Sequence, residues 1–343
     1  MKHYRWLLLP FALLYGLAIA FRNFCYDFKI FKSYEIPVKS IVVGNLSVGG
    51  TGKSPLVNYL IQFYLNSNQS IATLSRGYGR KTKGVLTAEL NSKAQEIGDE
   101  PSQYNTRFGD SISIVVAEER KLGVYAILNS NPEIDIILLD DAFQHRAVLA
   151  GLNIIVTQFE RPYSSDFLLP VGRLREWRSG AKRADIIIVS KCPKSATQKQ
   201  KNQLKKQLAR RNQKVFFSSI HYGELIATHP NGESDGRNVL LVTGIGNPTP
   251  LVEQMQQQYK VTHLKFADHH DFTASDIESI HQKFNTFASH DKIIVTTEKD
   301  FMRLREFDTV TNGDFPWYYQ PIEVNFDNEE EFNNLLKEYV TEN

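Results

Sequence analysis

Lys39-Ser-Ile-Val-Val-Gly-Asn-Leu-Ser-Val-Gly-Gly-Thr-Gly-Lys-Ser-Pro55 is the stretch from which the fold is read. Lys39 to Gly44 is a short apolar run that reads as a buried strand. Pro55 to Asn66 carries Leu56, Tyr59, Leu60 and Phe63 at helical spacing. Between them Ser47 to Ser54 matches G-x-x-x-x-G-K-[ST], with Ser47 at the first glycine, in the strand–turn–helix context the motif requires. Glycines let backbone N–H groups converge on phosphate oxygens, and the helix N-terminus adds its positive end. Gly49, Gly50, Thr51, Gly52 and Lys53 are the candidate cradle, with Lys53 reaching the β- and γ-phosphates. The Ser54 hydroxyl is placed to ligate Mg²⁺. The competing reading is a tight turn that happens to contain Gly-Lys.

Working outward, Ser70 to Ser75, Ile112 to Ala117, Asp135 to Asp140, Leu152 to Thr157 and Asp185 to Ser190 are apolar runs of strand length. Alternating with helical segments, such runs predict parallel strands covered on both faces. A phosphate cradle needs a second carboxylate at the end of a neighbouring strand to hold Mg²⁺. Asp140 and Asp141, closing the run from Asp135, supply it. A lysine-rich helix is expected at 197–211. Asn238 to Thr243, a helix near Pro250 to Tyr259 and Asp291 to Thr297 build a second, smaller α/β unit. The turn signals from Thr228 to Gly236 mark the boundary. The expected division is 1–30, 31–226 and 227–343.

Two cysteines, Cys25 and Cys192, lie far apart without C-x-x-C spacing, which excludes a disulfide scaffold and a zinc ribbon. Forty basic and 38 acidic residues nearly cancel, so no global field recruits nucleic acid. The balance is segregated, however. Lys191 to Lys214 holds nine basic residues and no acidic one, while Glu323 to Asn343 holds seven acidic residues against one lysine. Trp6 to Phe21 is uncharged over 16 residues and follows Lys2, His3 and Arg5. As a helix it reaches ~24 Å, short of a ~30 Å hydrocarbon core. A membrane-inserted or interfacial anchor, a buried core helix and a cleaved signal peptide with Ala18-Ile19-Ala20 at its end all fit this pattern. The anchor is preferred, because export would separate the phosphate cradle from cytosolic nucleotide. Phe21, Phe24, Tyr26, Phe28 and Phe31, interleaved with Arg22, Lys29 and Lys32, suit an interfacial belt.

Guanine-reading switches carry D-x-x-G and N-K-x-D. Here Asp140-Asp-Ala-Phe143 lacks the glycine, and Ser190-Lys-Cys-Pro193 lacks the aspartate. A partitioning ATPase needs a lysine where Val48 stands. An ATPase or a kinase working near a membrane remains. The stretch Gly44 to Pro55 resembles the tetraacyldisaccharide 4'-kinases of lipid A synthesis. Further segments agree in order: Leu74-Ser-Arg-Gly-Tyr-Gly-Arg80, Gly98-Asp-Glu-Pro101, Asp140-Asp-Ala-Phe-Gln-His145, Leu169-Pro-Val-Gly-Arg-Leu-Arg-Glu176, Val242-Thr-Gly-Ile-Gly-Asn-Pro248, Phe266-Ala-Asp-His269 and Thr297-Glu-Lys-Asp300. The resemblance implies transfer of the ATP γ-phosphoryl to the 4'-hydroxyl of an acylated glucosamine disaccharide 1-phosphate, at the cytoplasmic face of the inner membrane. It also implies a P-loop α/β domain joined to a smaller α/β domain by a two-stranded linker, for which the segments 215–226 and 317–326 are candidates. A membrane-tethered P-loop ATPase with a regulatory or transport role is the alternative, and it leaves Asp99 and His269 idle.

By match to the family motifs, Asp99 is the candidate base and His269 its partner, which requires the second domain to close over the first. A helix cap is the plainer reading of Asp99, since Pro101 suits a first helical turn. Asp268-His-His-Asp271 invites a metal reading, but no other His/Cys cluster completes a set. Asp140, Asp141 and Glu176 are candidate Mg²⁺ carboxylates beside Ser54. Arg76, Arg80, Arg173 and Arg175 are candidates for phosphates of ATP or the lipid, because the guanidinium fork matches phosphate geometry. Tyr78, Gln144 and His145 complete the candidate substrate contacts.

Overall fold

The computed structural model describes residues 3–210, 212–229, 236–288 and 291–341. A 3-10 turn leads into α1 (Leu9–Asp27), and β1 (Lys39–Gly44) and α2 (Lys53–Asn66) follow as the sequence predicts. Next come β2 (Ile71–Ser75), β3 (Leu86–Thr87), α3 (Asp99–Phe108), β4 (Ser113–Val116) and α4 (Arg120–Ser130). The unit continues through β5 (Ile136–Asp140), β6 (Leu152–Gln158), β7 (Ile186–Ser190), α5 (Gln198–Leu208) and β8 (Lys214–Tyr222). A second unit holds β9 (Ile226–Ala227), β10 (Asn238–Thr243), α6 (Thr249–Gln256), β11 (Lys260–Lys265) and α7 (Ala274–Asn285). It closes with β12 (Lys292–Thr297), α8 (Glu298–Leu304) and β13 (Trp317–Gln320), after which come β14 (Ile322–Phe326) and α9 (Glu329–Thr341).

The larger sheet has nine strands in the order β14-β8-β7-β6-β1-β5-β2-β4-β3. Every pairing from β8 to β4 is parallel, and only the two edge strands run antiparallel. The central strands are apolar throughout because both faces are covered. Ile41 and Val43 meet Leu56 and Leu60 of α2 and Phe332 and Leu336 of α9, whereas Val42 faces Val124 of α4 and Leu204 of α5. The chain builds outward through β2 and β4, returns to β5, and crosses to β6 on the other side of β1. The crevice at the carboxyl end of β1 is where such sheets bind ligands.

The smaller sheet runs β9-β13-β12-β10-β11, parallel except for β9. Two antiparallel segments connect the sheets: Ser218–Tyr222 pairs with Ile322–Phe326, and Ile226–Ala227 pairs with Tyr318–Tyr319. This is the two-stranded connection expected of 215–226 and 317–326. The expected boundary needs correction at its far end. β14 and α9 return to the larger sheet, because Phe326, Phe332 and Leu336 are apolar and bury in its core, so residues 322–341 do not belong with 227–320. The turn from Thr228 to Gly236 lies mostly outside the described residues.

α1 is neither free nor buried. Ala12 and Gly16 pack on the larger unit and Cys25 is buried, while Phe11, Leu14, Leu17, Phe21, Phe24 and Phe28 are exposed.

Candidate active site

The loop after β1 is held in shape before any ligand arrives. Gly52 caps α2 at φ +92°, a left-handed conformation that β-carbon-bearing residues rarely adopt. Asn45 Nδ2 donates to Thr51 Oγ1 at 2.8 Å. From the ends of β6 and β7, Gln158 Nε2 and Lys191 Nζ both donate to the Gly50 carbonyl at 2.8 Å, and the Ser190 hydroxyl donates to the Thr51 carbonyl at 2.5 Å. The segment 173–175 pairs along the loop's start, through Val48 N to Arg173 O and Arg175 N to Leu46 O, both at 2.8 Å.

Lys53, first residue of α2, places Nζ 3.5 Å from Asp141 Oδ1. Arg175 Nη1 donates to both Asp141 oxygens, at 3.0 and 2.9 Å. Burial alone pushes the Asp141 carboxyl up, but Lys53 and Arg175 outweigh it and hold it below the usual carboxylate range. Its neighbour behaves oppositely. Asp140 Oδ2 accepts from the Tyr104 hydroxyl at 2.8 Å, and Oδ1 is buried with no hydrogen-bond partner among the described residues. Burial, with Glu100 and Asp141 nearby, pushes Asp140 up to about 6 despite the opposing charge of Lys53. A desolvated carboxylate with an orphaned oxygen beside Ser54 and Lys53 is a donor set that fits a divalent cation.

Across the crevice, α3 and α8 bring the two units together. Asp99 opens α3, 4% exposed. Gly98 before it has φ +96° and packs on Gly77, so close that a β-carbon would stand 2.8 Å from Tyr78 O. The turn 76–80 therefore lies against Asp99. Asp99 Oδ2 meets His269 Nδ1 at 3.1 Å, Oδ1 accepts from Arg303 Nε at 2.9 Å, and Arg303 Nη2 also contacts Oδ2. The Lys299 ammonium lies 3.1 Å from His269 Nε2 and can only donate. Arg303 Nη2, also a donor only, lies 3.2 Å from Nδ1; the tautomer with the hydrogen on Nδ1 is the one that satisfies Asp99 and Lys299 together. Burial raises the Asp99 carboxyl, but the bonds from His269 and Arg303 prevail and leave it below its ordinary value.

Other candidates are placed differently from expectation. Glu176 is 1% exposed, and Arg183 grips both of its oxygens at 2.8 and 2.9 Å. Asn23 and Gln144 also donate to it. Both of its oxygens are thus engaged by donors of this chain. Gln144 Nε2 is likewise spent, on Asn45 O and Glu176. Arg80 binds Glu118 at 2.5 Å and Arg173 binds Asp166 at 2.8 Å, so both phosphate candidates already have carboxylate partners. Arg76 and Tyr78 are exposed, and the Tyr78 ring stands 5.8 Å from that of His269. His145 is pushed down to about 4 by burial and by Arg120, Arg22 and Arg76. The Asp268–Asp271 metal reading finds no support: the described residues contain no cluster of three or more His, Cys, Asp or Glu able to hold a metal ion.

Four further residues at the site were not singled out from the sequence: Tyr104, Arg120, Lys299 and Arg303. Arg120 is 3% exposed, with Nε unpartnered among the described residues and both Asp140 and Asp141 in electrostatic reach. Lys299 sits inside the quoted Thr297–Asp300 segment, and Arg303 follows it one helical turn later; that shared face was the available signal.

The family model for tetraacyldisaccharide-1-P 4'-kinase matches residues 4–341. A tetraacyldisaccharide 4'-kinase of Flavobacterium psychrophilum is 44% identical, covering 99% of this chain and 98% of that protein. One from Flavobacterium johnsoniae is 41% identical at 99% and 98% coverage. Among solved structures, the "apo" form of LpxK from Aquifex aeolicus in complex with ATP superposes with a TM-score of 0.76 at 28% identity, covering 98% of this chain and 99% of that one.

Proposed function

Since the chain belongs to the tetraacyldisaccharide-1-P 4'-kinase family, we propose how its own residues carry the ATP-dependent lipid A 4'-kinase reaction. ATP binds with its phosphates on the 47–54 loop. The Gly49–Ser54 backbone N–H groups receive the phosphate oxygens, and Lys53 neutralises the β/γ charge that grows during transfer. The donors from Gln158, Ser190 and Lys191 keep the loop carbonyls turned away from the phosphates. Ser54 and Asp140 would hold Mg²⁺, with Asp141 beside them. When bound, the cation neutralises phosphate charge and orients the γ-phosphoryl group. Arg76, Tyr78 and Arg120 face the acceptor side.

The acceptor is the 4'-hydroxyl of an acylated glucosamine disaccharide 1-phosphate. Asp99 takes its proton, and His269 orients Asp99 through the Nδ1 hydrogen. Asp99 is a weak base, which suits a loose phosphoryl-transfer transition state in which the hydroxyl proton leaves late. The observation that carries this reading is the 3.1 Å contact of Asp99 and His269, from two units, on the helix whose Tyr104 holds Asp140. A helix cap needs no such partner. The enzyme works at the cytoplasmic face of the inner membrane, held there by α1: Trp6–Asp27 is long and apolar enough to cross a membrane and only 11% buried. Incubating the protein with γ-labelled ATP and the acyl disaccharide 1-phosphate, then resolving the lipids by thin-layer chromatography, tests the whole. Label must appear in the lipid; release of free phosphate alone would support a regulatory ATPase instead.

A further inference from the structure

His269 lies in the turn after β11 at φ +57°, a left-handed conformation that a β-carbon makes costly. The turn is tied down across the carboxyl ends of three neighbouring strands. Beyond β12, Asp300 Oδ2 accepts from Gly244 N at 2.8 Å. Gly244, just past β10, in turn accepts from His269 N at 2.9 Å. Asp300 is 2% exposed and is itself fastened by the Thr297 hydroxyl at 2.7 Å. The first turn of α8 thus holds the His269 backbone in its strained form, and two further residues of the same helix, Lys299 and Arg303, meet the ring.

On the Nδ1 side of that ring the contacts disagree. Asp99 Oδ2 at 3.1 Å calls for a hydrogen on Nδ1, whereas Arg303 Nη2 at 3.2 Å can only donate and calls for a lone pair. Arg303 already reaches both Asp99 oxygens and the His270 carbonyl, so its hydrogens are satisfied without Nδ1. On the Nε2 side Lys299 Nζ stands at 3.1 Å and, as an ammonium, has no lone pair to offer. A hydrogen on Nε2 would set two donors against each other there and take from Asp99 its bond to the ring. The Asp268 carboxylate stands 4.0 Å from Nε2, beyond hydrogen-bond reach. The Glu100 carboxylate, 4.0 Å from Nζ, is likewise too far to hold Lys299 by a hydrogen bond. Which nitrogen of a histidine carries the hydrogen is set by the bond that the other one makes. Here that deciding bond comes from Lys299.

We propose that Lys299 is a positioning residue for phosphoryl transfer: by donating to His269 Nε2 it fixes the imidazole hydrogen on Nδ1 and so aims the ring at Asp99. This rests on the Asp99–His269 reading above. Nitrogen NMR of the full-length chain, isotope-labelled in its histidines, separates the two tautomers, and His269→Gln identifies the signal. Native His269 should carry its hydrogen on Nδ1, and Lys299→Met should turn it into a mixture of the two forms. In kinase assays Lys299→Met should lower kcat by roughly 10²-fold, the cost of a misaimed group, with KM for ATP unchanged. Lys299→Arg, which keeps a donor at that place, should restore most of the loss. Adding Lys299→Met to His269→Ala should cost nothing more, because residues that act as a unit are non-additive. An unchanged tautomer in Lys299→Met overturns the proposal. A raised KM for ATP also overturns it, since the ammonium would then serve a phosphate directly, and so do multiplicative losses in the double variant. A His269→Ala enzyme with native kcat would instead overturn the Asp99–His269 reading itself, whatever Lys299 does to the ring.

Discussion

Replacing Arg303 by glutamine probes how Asp99 is kept ready. The Asp99 carboxylate is 4% exposed and receives Arg303 through Nε at 2.9 Å and through Nη2. Two charges about 4 Å apart at an effective dielectric of ~20 attract by ~4 kcal/mol. The Arg303 side chain is 16% exposed, so solvent screening reduces this, and about 2 kcal/mol is a fair net loss. In the native protein the hydrogen bonds outweigh burial and hold Asp99 below its ordinary value. Its stabilisation is therefore present above the unfolded value and is lost as pH falls through the folded one. Without Arg303, burial prevails and the carboxyl rises. Unfolding free energies from urea titration should then differ by about 2 kcal/mol at pH 7, and the difference should shrink as the buffer is acidified. The acidic limb of kcat/KM should move up by about one unit, and Arg303→Lys should restore part of it. A stability loss independent of pH, with the acidic limb unmoved, would show that Arg303 acts by packing alone and refute the electrostatic account.

Three further outcomes are expected. Lys53→Ala should lower kcat by more than ~100-fold, because the charge it meets grows toward the transition state; near-native turnover would remove ATP from the 47–54 loop. Asp140, pushed up to about 6, is raised rather than lowered, so its ionisation with rising pH costs stability until a cation offsets it. The Mg²⁺-dependent rise in melting temperature seen with ATP should therefore fade as pH drops through about 6, and Asp140→Asn should abolish it at every pH. Asp99→Ala and His269→Ala should each cut kcat by roughly 10²–10⁴, with the double variant little worse than the poorer single; multiplicative losses would separate the two residues.

The parallel sheet was legible because its strands are buried on both faces and so read as unbroken apolar runs. The phosphate loop was legible because its chemistry demands a local pattern. What stayed hidden depends on contacts distant in sequence. Nothing near Glu176 announces that Arg183, Gln144 and Asn23 converge on it. Arg303 meets Asp99 across 204 positions, and no periodicity encodes that. β11 was missed because its residues are mixed in polarity and only partly covered. The return of β14 and α9 was missed because an acidic, amphipathic helix shows that it packs, but not against which sheet.

That return has a consequence for synthesis. Phe332 and Leu336 are fully buried beside Leu56 and Leu60, and Tyr339 bonds to Ser40 of β1. A ribosome therefore delivers the last part of the cover for one face of the larger sheet only after the entire smaller unit has been made. The smaller unit has its own two hydrophobic clusters and no such debt to later residues. It is equipped to fold first, while the earlier-made strands wait with one apolar face only partly covered, by α2 and α3, and open to misassociation. A released chain ending at residue 321 should thus display a protease-resistant smaller unit beside a still-sensitive nucleotide-binding half, the reverse of the order in which the two are made.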